Sequence, residues 1–589
     1  MIIDPQCGVP IEQDPDRYKV EVRGRTYRFC SDYCRHAFLE GRRVAYFSME
    51  IGLTDDMPTY SGGLGVLAGD TIRSSADMRI PLVAVSLISR KGYLKQKITR
   101  DGKQVEQPVE WNPSRFMNEL PSQVKVQVQG REVRLKAWLY DHVSPTGGLV
   151  SILFLDTDVD GNAPDDRGIT DYLYGGDQAY RLKQEIVLGI GGVRMLEASG
   201  FKISRYHMNE GHSSLLAVEL LRANGMVPDK VRDLCIFTTH TPVEAGHDQF
   251  PYELVQATMG TVIPLDLLKQ LGGRERLNMT ALALNLSKYV NGVANRHKDL
   301  SMQLFPGHHI SAINNGVHSY TWTCESMRKL YDKYLRGWAN EPALLVRVDT
   351  IPDEEIWEAH MQAKKELIDF VWERTDVNLD PTVLTLGFAR RATAYKRPNL
   401  LFADLERLRQ ANREHRIQAV FAGKAHPKDT WGKQLIEEIH GHIEKIKGEI
   451  PVVYLEDYNM EMAAKLTSGV DVWLNTPLPP FEASGTSGMK AAHNGVVNFS
   501  VLDGWWVEGC IEGVTGWSIG PAPEEDLSPE ARRSRELDDL YGKLSYVIGP
   551  TFYDRREEWT GLMKNSIGKI AYYFNSNRMM YRYVTEAYL

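Results

Sequence analysis

From Val44 onward the chain is punctuated by eight short apolar runs. Val44 to Phe47, Leu82 to Ile88, Leu149 to Leu155 and Leu234 to Thr239 lie in the first half, and Thr382 to Phe388, Ala419 to Ala422, Val452 to Leu455 and Val470 to Asn475 in the second. Between them stand segments with the period of a helix, such as Gly65 to Met78, Tyr180 to Ala198, Ser213 to Ala223 and the charged Leu401 to His415. Strand-like runs alternating with helical segments predict β-α-β units and parallel sheets. The alternation resumes after about residue 320, and 589 residues exceed what one core accommodates, so two large domains are expected. The fold class is α/β, with two doubly wound, Rossmann-like domains facing a cleft, where ligands meet the carboxyl ends of the strands. Expected boundaries are 1–41 for a small N-terminal unit, 42–315 for the first domain and 316–589 for the second. Gly520 to Pro529, rich in Pro and Glu, reads as a surface loop.

Composition narrows the partners. A net charge of -8 and a pI near 6.1 offer no overall attraction to nucleic acid or to an anionic membrane. No apolar run approaches the roughly 20 residues that span a bilayer, and the N-terminus lacks a basic segment followed by an apolar one, so a cytoplasmic protein is expected. Self-association into a homo-oligomer is expected as well. Six cysteines are too few for a disulfide scaffold, and Cys235, Cys324 and Cys510 stand singly in apolar surroundings that suit buried thiols. The other three, Cys7, Cys30 and Cys34, are crowded into the first 34 residues and mark a separate unit.

That unit has short alternating segments (Tyr18 to Val22, Thr26 to Phe29) followed by a helix-like Ser31 to Leu39. With Asp4, Pro5, Cys7, Gly8, Tyr27, Phe29, Cys30, Ser31 and Cys34 in order, it resembles the YHS/TRASH type of small treble-clef metal module. Three thiolates from Cys7, Cys30 and Cys34 suit zinc or another soft metal, and His36 and Asp32 are candidates for the fourth ligand of a closed site. Reduced cysteines packing a small core are the plain alternative.

The segment with most chemical content is Glu482-Ala-Ser-Gly-Thr-Ser-Gly-Met-Lys490. It follows a strand-like run and places a lysine one turn inside a helix whose first residues are small, hydroxyl-bearing or glycine. Free N–H groups and the positive end of the helix dipole make such a junction an anion site. A lysine beside a phosphate cradle points to pyridoxal phosphate held as a Schiff base; a Gly/Ser loop with a solvent lysine is the plain reading. Three further motifs also follow predicted strands. Ser61-Gly-Gly-Leu-Gly-Val-Leu-Ala-Gly-Asp70 is a glycine-rich turn opening a helix, able to approach a phosphate or a sugar closely. Arg390-Arg-Ala-Thr-Ala-Tyr-Lys-Arg397 focuses cations at a strand terminus, as phosphate recognition requires. Thr238-Thr-His-Thr-Pro-Val-Glu-Ala-Gly-His-Asp248 puts His240 among hydroxyls, suited to sugar binding. His207, Glu210 and His212 invite a metal reading, but their spacing does not match His-Glu-x-x-His.

In this chain order the segments resemble the α-glucan (glycogen, starch and maltodextrin) phosphorylases of short prokaryotic type, from about Val44 to at least Trp517. The resemblance implies a GT-B-type fold with pyridoxal 5′-phosphate in the C-terminal half and an active site between the domains. It also implies reversible, retaining phosphorolysis of terminal α-1,4-linked glucose to glucose 1-phosphate, with glucan and inorganic phosphate as partners. Carried over by position, Lys490 would form the Schiff base. Thr486 and the amides of its turn, Gly485 and Ser487 among them, would hold the cofactor phosphate with Arg390, and Tyr458 would lie by the pyridine ring. Arg391 and Lys396 would bind substrate phosphate. Glu482 and His240 would contact glucose, His240 through its backbone carbonyl or on the C6 hydroxyl side. Gly63 and Leu64 would present amides, and Asn315 would sit near the hinge and the sugar pocket.

Two positions depart from the long members of the family, Ser487-Gly488 and Thr393; they leave the anion-binding logic intact and bear on sugar contacts and chain-length preference. Two other readings are open. A sugar-nucleotide glycosyltransferase of glycogen-synthase type shares the fold and a Gly-Gly-Leu-Gly turn without needing Lys490. A non-catalytic carbohydrate-binding or metal-sensing protein would give the cysteine module the main role.

Overall fold

Alternate residues of the apolar strands face two different cores. In Arg43–Phe47 (β1), Val44 and Tyr46 join one buried cluster while Ala45 and Phe47 join another. Successive side chains of a strand point to opposite faces, and here both faces are covered, so the runs are apolar throughout instead of alternating with polar residues. The structure, a computed structural model, describes residues 2, 4, 9–11, 14–22, 25–32, 34, 35, 38, 41 and 43–589.

The chain divides into two compact units. The first comprises Met1–Tyr93, Val109–Ile313 and Met579–Leu589. Its sheet is built from β1, Leu82–Leu87 (β2), Arg131–Val143 (β3), Leu149–Asp156 (β4), Ile203–Asn209 (β5), Cys235–Thr238 (β6), Tyr289–Gly292 (β7) and Ser311–Ala312 (β8), in the order β8-β7-β6-β5-β1-β2-β4-β3. All neighbours are parallel except β3, which runs antiparallel to β4 and carries the short strands Asn118–Glu119 and Val124–Val128. The helix Gly63–Asp77 (α1) makes the crossover from β1 to β2. Within Tyr180 to Ala198 the helix is interrupted by a π turn at Val187–Gly191; this turn is buried on every side, so its residues do not follow one apolar stripe.

The second unit comprises Leu94–Pro108 and Asn314–Arg578. Its six strands, Leu384–Ala389 (β9), Ile417–Ala422 (β10), Val452–Leu455 (β11), Val472–Asn475 (β12), Val497–Val501 (β13) and Gly516–Ile519 (β14), form an all-parallel sheet in the order β11-β10-β9-β12-β13-β14. Counted along this unit alone the order is 3-2-1-4-5-6, that of a dinucleotide-binding fold, in which the direction of winding reverses between the first and fourth strands. The face of Leu386, Phe388 and Leu474 and the face of Ala389, Trp473 and Val453 again pack into separate cores.

Two segments fall in the unit opposite to the one expected from sequence order. Residues 94–108 join the second unit, where the Gln96 side-chain amide donates to Gly423 O (2.8 Å), the Gln104 amide donates to Ala425 O (2.9 Å) and Gln96 N–H donates to Asp457 Oδ1 (2.9 Å). The C-terminal residues 579–589 return to the first unit, where Met579, Met580, Tyr583 and Tyr588 enter the core beside Tyr46 and Ile236. Such long-range pairings leave no local trace in a sequence.

The helix Asp353–Thr375 (α2) begins with three acidic residues, Asp353, Glu354 and Glu355, which complement its positive end. It also carries Lys364 and His360, which meet the buried Asp471. Lys364 Nζ donates to Asp471 Oδ2 (2.6 Å) and Val383 O (2.8 Å), and His360 Nε2 faces Asp471 Oδ1 (2.8 Å). Burial opposes ionisation of Asp471, but Lys364 and His360 outweigh it and hold the carboxyl below its ordinary range.

At the N-terminus Lys19–Val22 and Arg25–Arg28 form an antiparallel hairpin, residues 32, 34, 35 and 38 are helical, and Tyr27, Phe29, Cys34 and Phe38 make a small core. Cys7 and His36 lie outside the described residues. No helix among the described residues is long and apolar enough to cross a membrane.

Candidate functional site

In the second unit the predicted cations and the predicted lysine lie on the connections that follow two adjacent strands, where the winding reverses. β9 ends at Ala389, so Arg390 and Arg391 are the first residues beyond its carboxyl end; β12, its neighbour on the reversing side, ends at Asn475 and leads to Glu482 and Lys490. Arg390 Nη2 donates to Glu482 Oε2 (2.6 Å), and Lys396 Nζ donates to the same oxygen (2.5 Å). Burial works against the Glu482 carboxylate, but the two cations prevail and hold its pKa at about 2. These three side chains carry one net positive charge between them, and the buried Asp503 carboxylate lies alongside, its Oδ2 accepting from Glu482 N–H (2.9 Å).

The lysine helix is short. Ser487–Ala492 (α3) follows a turn in which Gly485 takes φ 79, and Thr486 precedes the helix without a side-chain cap. Trp473 Nε1 donates to Ser487 Oγ (3.0 Å), so the residue that departs from the long family members anchors the turn to β12. A Cβ on Gly488 would stand 2.2 Å from Asn498 Oδ1 and 2.7 Å from the Trp505 ring, so only glycine lets α3 approach β13 this closely. Lys490 is buried, with Nζ 3.8 Å from the Trp322 ring centroid. Asn494 holds that tryptophan's segment by donating to Trp322 O (2.8 Å) and accepting from Cys324 N–H (2.8 Å). Tyr458 packs on the apolar cluster that contains Trp473 and Ala491, and Asn315 is buried beside Asn314, which donates to Glu508 (2.8 Å). Arg391 is exposed.

Buried polar atoms test whether this region suits an anionic group. Arg390 Nε and Asn475 Oδ1, at the ends of the two strands flanking the reversal, and Asn315 Oδ1 are buried and have no hydrogen-bond partner among the described residues. Buried polar atoms are nearly always satisfied, so each of these three atoms can take a bond from a bound group. The unfilled guanidinium donor fits a phosphate group, and a buried lysine within the same strand-to-helix connection fits an aldehyde cofactor.

The first unit has its own point of reversal, between β1 and β5. Here carboxylates engage backbone amides. Glu50, three residues beyond β1, accepts at Oε2 from Ser61 N–H (2.6 Å), Ser61 Oγ (3.0 Å) and Gly62 N–H (3.2 Å), and at Oε1 from Tyr174 OH (2.9 Å). This clamps the glycine turn that leads into α1. A Cβ on Gly65 would stand 2.7 Å from the same carboxylate oxygen, so the glycine admits Glu50. Gly63 is the exposed first residue of α1, with nothing within 4 Å of where its side chain would be, and Leu64 is half-buried.

Beyond β5, Glu210 accepts at Oε2 from His240 N–H (2.7 Å) and from Thr241 Oγ1 (2.9 Å). His240 Nε2 faces Asn209 Oδ1 (2.7 Å), and Asn209 Nδ2 donates to Ser48 Oγ (3.2 Å). Burial, reinforced by His297, His212 and His207, holds His240 down at about 3, so its ring is neutral in ordinary buffers. His212 accepts from Met49 N–H at Nε2 (3.0 Å), and His207 bonds Tyr588 OH and Thr238 Oγ1 (both 2.8 Å). Those bonds account for the histidines of the metal-like motif, and they form no metal-ligand cluster among the described residues.

The predicted residues therefore divide between the two units. Arg390, Lys396, Glu482, Gly485, Thr486, Ser487, Lys490, Tyr458 and Asn315 belong to the second unit, and Gly63, Leu64 and His240 to the first. Sequence reasoning passed over Glu50, Asn209 and Trp322. Glu50 stands eleven residues before Ser61 of the glycine motif that it clamps, a separation that leaves no local signal. Near the N-terminus, Asp4, Cys30 and Cys34 place an oxygen and two sulfurs within 4.8 Å of one another, while the predicted Cys7 lies outside the described residues; Asp4 Oδ2 also accepts from Cys30 N–H (2.7 Å).

The chain is similar to known proteins over most of its length. A sequence model of the family described as carbohydrate phosphorylase matches residues 248–514, a stretch that includes every predicted residue of the second unit. The maltodextrin phosphorylase of Thermococcus litoralis is 39% identical over 92% of this chain and 70% of its own length. Glycogen phosphorylases of Aquifex aeolicus and Mycobacterium tuberculosis are each 36% identical over 92% of this chain, covering 86% and 70% of their own lengths. With cations and a buried lysine gathered at the reversal of a 3-2-1-4-5-6 sheet and relatives this similar over nearly its whole length, the chain belongs to the carbohydrate phosphorylase family.

Proposed function

We propose that this protein is an α-glucan phosphorylase that transfers the terminal α-1,4-linked glucose of glycogen, starch or maltodextrin to inorganic phosphate. The product is glucose 1-phosphate with retained anomeric configuration, and the reaction is reversible. The observation that carries this reading is the cluster at the ends of β9 and β12, where Arg390 and Lys396 converge on one oxygen of Glu482 while Arg390 Nε has no partner among the described residues.

Pyridoxal 5′-phosphate fits the same region: Lys490 would tether it, Thr486 with the Gly485–Ser487 turn and Arg390 would hold its phosphate, and Tyr458 would flank its ring. When bound, it supplies a second phosphate able to exchange a proton with the substrate phosphate. Two phosphates held close together need counter-charge, and Arg390, Arg391 and Lys396 provide it. With that support the substrate phosphate can protonate the glycosidic oxygen and attack the same face of the oxocarbenium-like centre, so no pair of carboxyl groups is needed. Glu482, ionised above about pH 2, orients the two cations and accepts from sugar hydroxyls. His240, neutral, acts on glucose as a hydrogen-bonding group and not as an acid. Gly63 and Leu64 offer amides to the glucan, and Asn315 an acceptor.

Purified protein should show cofactor absorbance and release glucose 1-phosphate from maltodextrin and phosphate. Borohydride reduction followed by mass spectrometry should find the cofactor on the Lys490 peptide. An unmodified lysine together with glucosyl transfer from a sugar nucleotide would assign the chain to the glycogen-synthase type instead. For the N-terminal segment we propose binding of a soft divalent ion such as zinc by Cys30, Cys34 and Asp4, with Cys7 and His36 as the candidates to complete the ligand set. Metal analysis of the full chain and of Cys30→Ser tests it: equal metal content in both would exclude the site.

A further inference from the structure

Glu210 stands just past the end of β5 with φ 81 and ψ 163, a conformation open to glycine and strained for any residue with a side chain. A glycine is the very next residue, and it is not the one that takes the positive φ. The strain therefore falls on the residue whose carboxylate has the most to hold. Oε1 accepts from Gly211 N–H (2.8 Å), Oε2 accepts from His240 N–H (2.7 Å) and Thr241 Oγ1 (2.9 Å), and Glu210 N–H donates to Thr238 O (2.9 Å). The loop after β6 is thus tied to the end of β5 through one carboxylate.

The neighbouring residue completes the hold on His240. Asn209 uses its amide nitrogen on Ser48 Oγ (3.2 Å), so its oxygen is the atom that meets His240 Nε2 (2.7 Å). The hydrogen of the neutral ring then sits on Nε2, and Nδ1 is left as an acceptor. Consecutive residues Asn209 and Glu210 grip His240 at two points, the ring by one and the backbone by the other.

We infer that Glu210 is a positioning residue for the glucan-binding side of the reaction: its strained backbone aims the carboxylate at the His240–Thr241 loop, which fixes where His240 stands. The inference rests on the phosphorylase reading for what His240 does and on the geometry above for how it is held. Glycine at this position would relieve the backbone and release the loop, so it separates a stability role from a positioning one.

The test is Glu210→Gly in the full-length chain, with Glu210→Gln as a second variant that keeps one acceptor oxygen. Glu210→Gly should fold and melt no lower than the parent, while peptide-resolved hydrogen exchange at His240 and Thr241 accelerates. Its kcat/KM for maltodextrin should fall by about a hundredfold, as misplacement on the scale of an ångström produces, with the KM for phosphate unchanged and with Glu210→Gln intermediate. Parental exchange at His240 in Glu210→Gly would overturn the inference, as would faster exchange with unaltered kinetics. A parent that releases no glucose 1-phosphate would defeat the proposed function, and the exchange measurement would still decide whether Glu210 holds the loop.

Discussion

Both sheets reverse their winding at one point, and at each point a carboxylate does the organising, but on different partners. Glu50 and Glu210 in the first unit accept mainly from backbone N–H groups and hydroxyls, whereas Glu482 in the second accepts from Arg390 and Lys396. Amide partners shape a loop without adding charge, which suits hydroxyl-rich, uncharged sugar. Cationic partners leave a net positive charge, which suits phosphate. A shared α/β architecture thus yields one cluster with uncharged donors and one with cationic donors.

The largest expected effect tests the foundation of the cationic unit. Lys364→Met leaves Asp471 buried without its main counter-charge, and breaking such a pair costs about 3–5 kcal/mol, read as a lowered denaturation midpoint. The double variant Lys364→Met/Asp471→Asn should recover part of that loss; no recovery would mean that Lys364 acts through packing alone.

Next is Lys396→Ala, which should lower kcat for phosphorolysis by on the order of 10²–10³, the usual penalty for removing one preorganised electrostatic group. Stability should change little, since Arg390 still meets Glu482. A drop confined to glucan KM would contradict the division of labour between the two clusters.

Acidification should separate the units in turn. His207, His212 and His240 in the first unit are held near 3 by burial against an ordinary 6.5, so between those values the unfolded chain binds more protons and stability falls as pH falls. Glu185 and Glu210, both raised chiefly by burial, work in the opposite direction but are outnumbered. Glu482 in the second unit, depressed from 4.5 to about 2, contributes stability that is lost only as pH drops through that lower window. Region-resolved hydrogen exchange at about pH 5 should therefore show the first unit loosening more than the second, where burial also lowers His440 and His442; the reverse order would break the comparison.

The smallest effect concerns two glycines. Gly488→Ala forces a Cβ against Asn498 and Trp505 and should cost about 1–3 kcal/mol. Gly63→Ala meets open space and should shift stability by no more than about 0.5 kcal/mol, while raising the KM for glucan if its amide contacts the substrate.

Much of this was legible along the chain. Strands buried on both faces must be apolar throughout, so all eight runs reappear as strands within a few residues, and Lys490, Arg390 and Lys396 stand beside strand ends where the motifs put them. The unit to which residues 94–108 and 579–589 belong was not legible, because Gln96 and Tyr588 find partners hundreds of residues away. Nor was Glu210 as a positioning residue: in sequence it is one carboxylate in a histidine motif, and only its φ and its bonds to the next loop give it a role.

By itself, then, the sequence determined the alternation of strands and helices, the chemical types gathered at the strand ends and the family, since each follows from local pattern and residue identity. The tertiary structure alone decided which carboxylates meet amides and which meet cations. Those meetings depend on strand order and loop closure, which bring together residues that the chain keeps far apart.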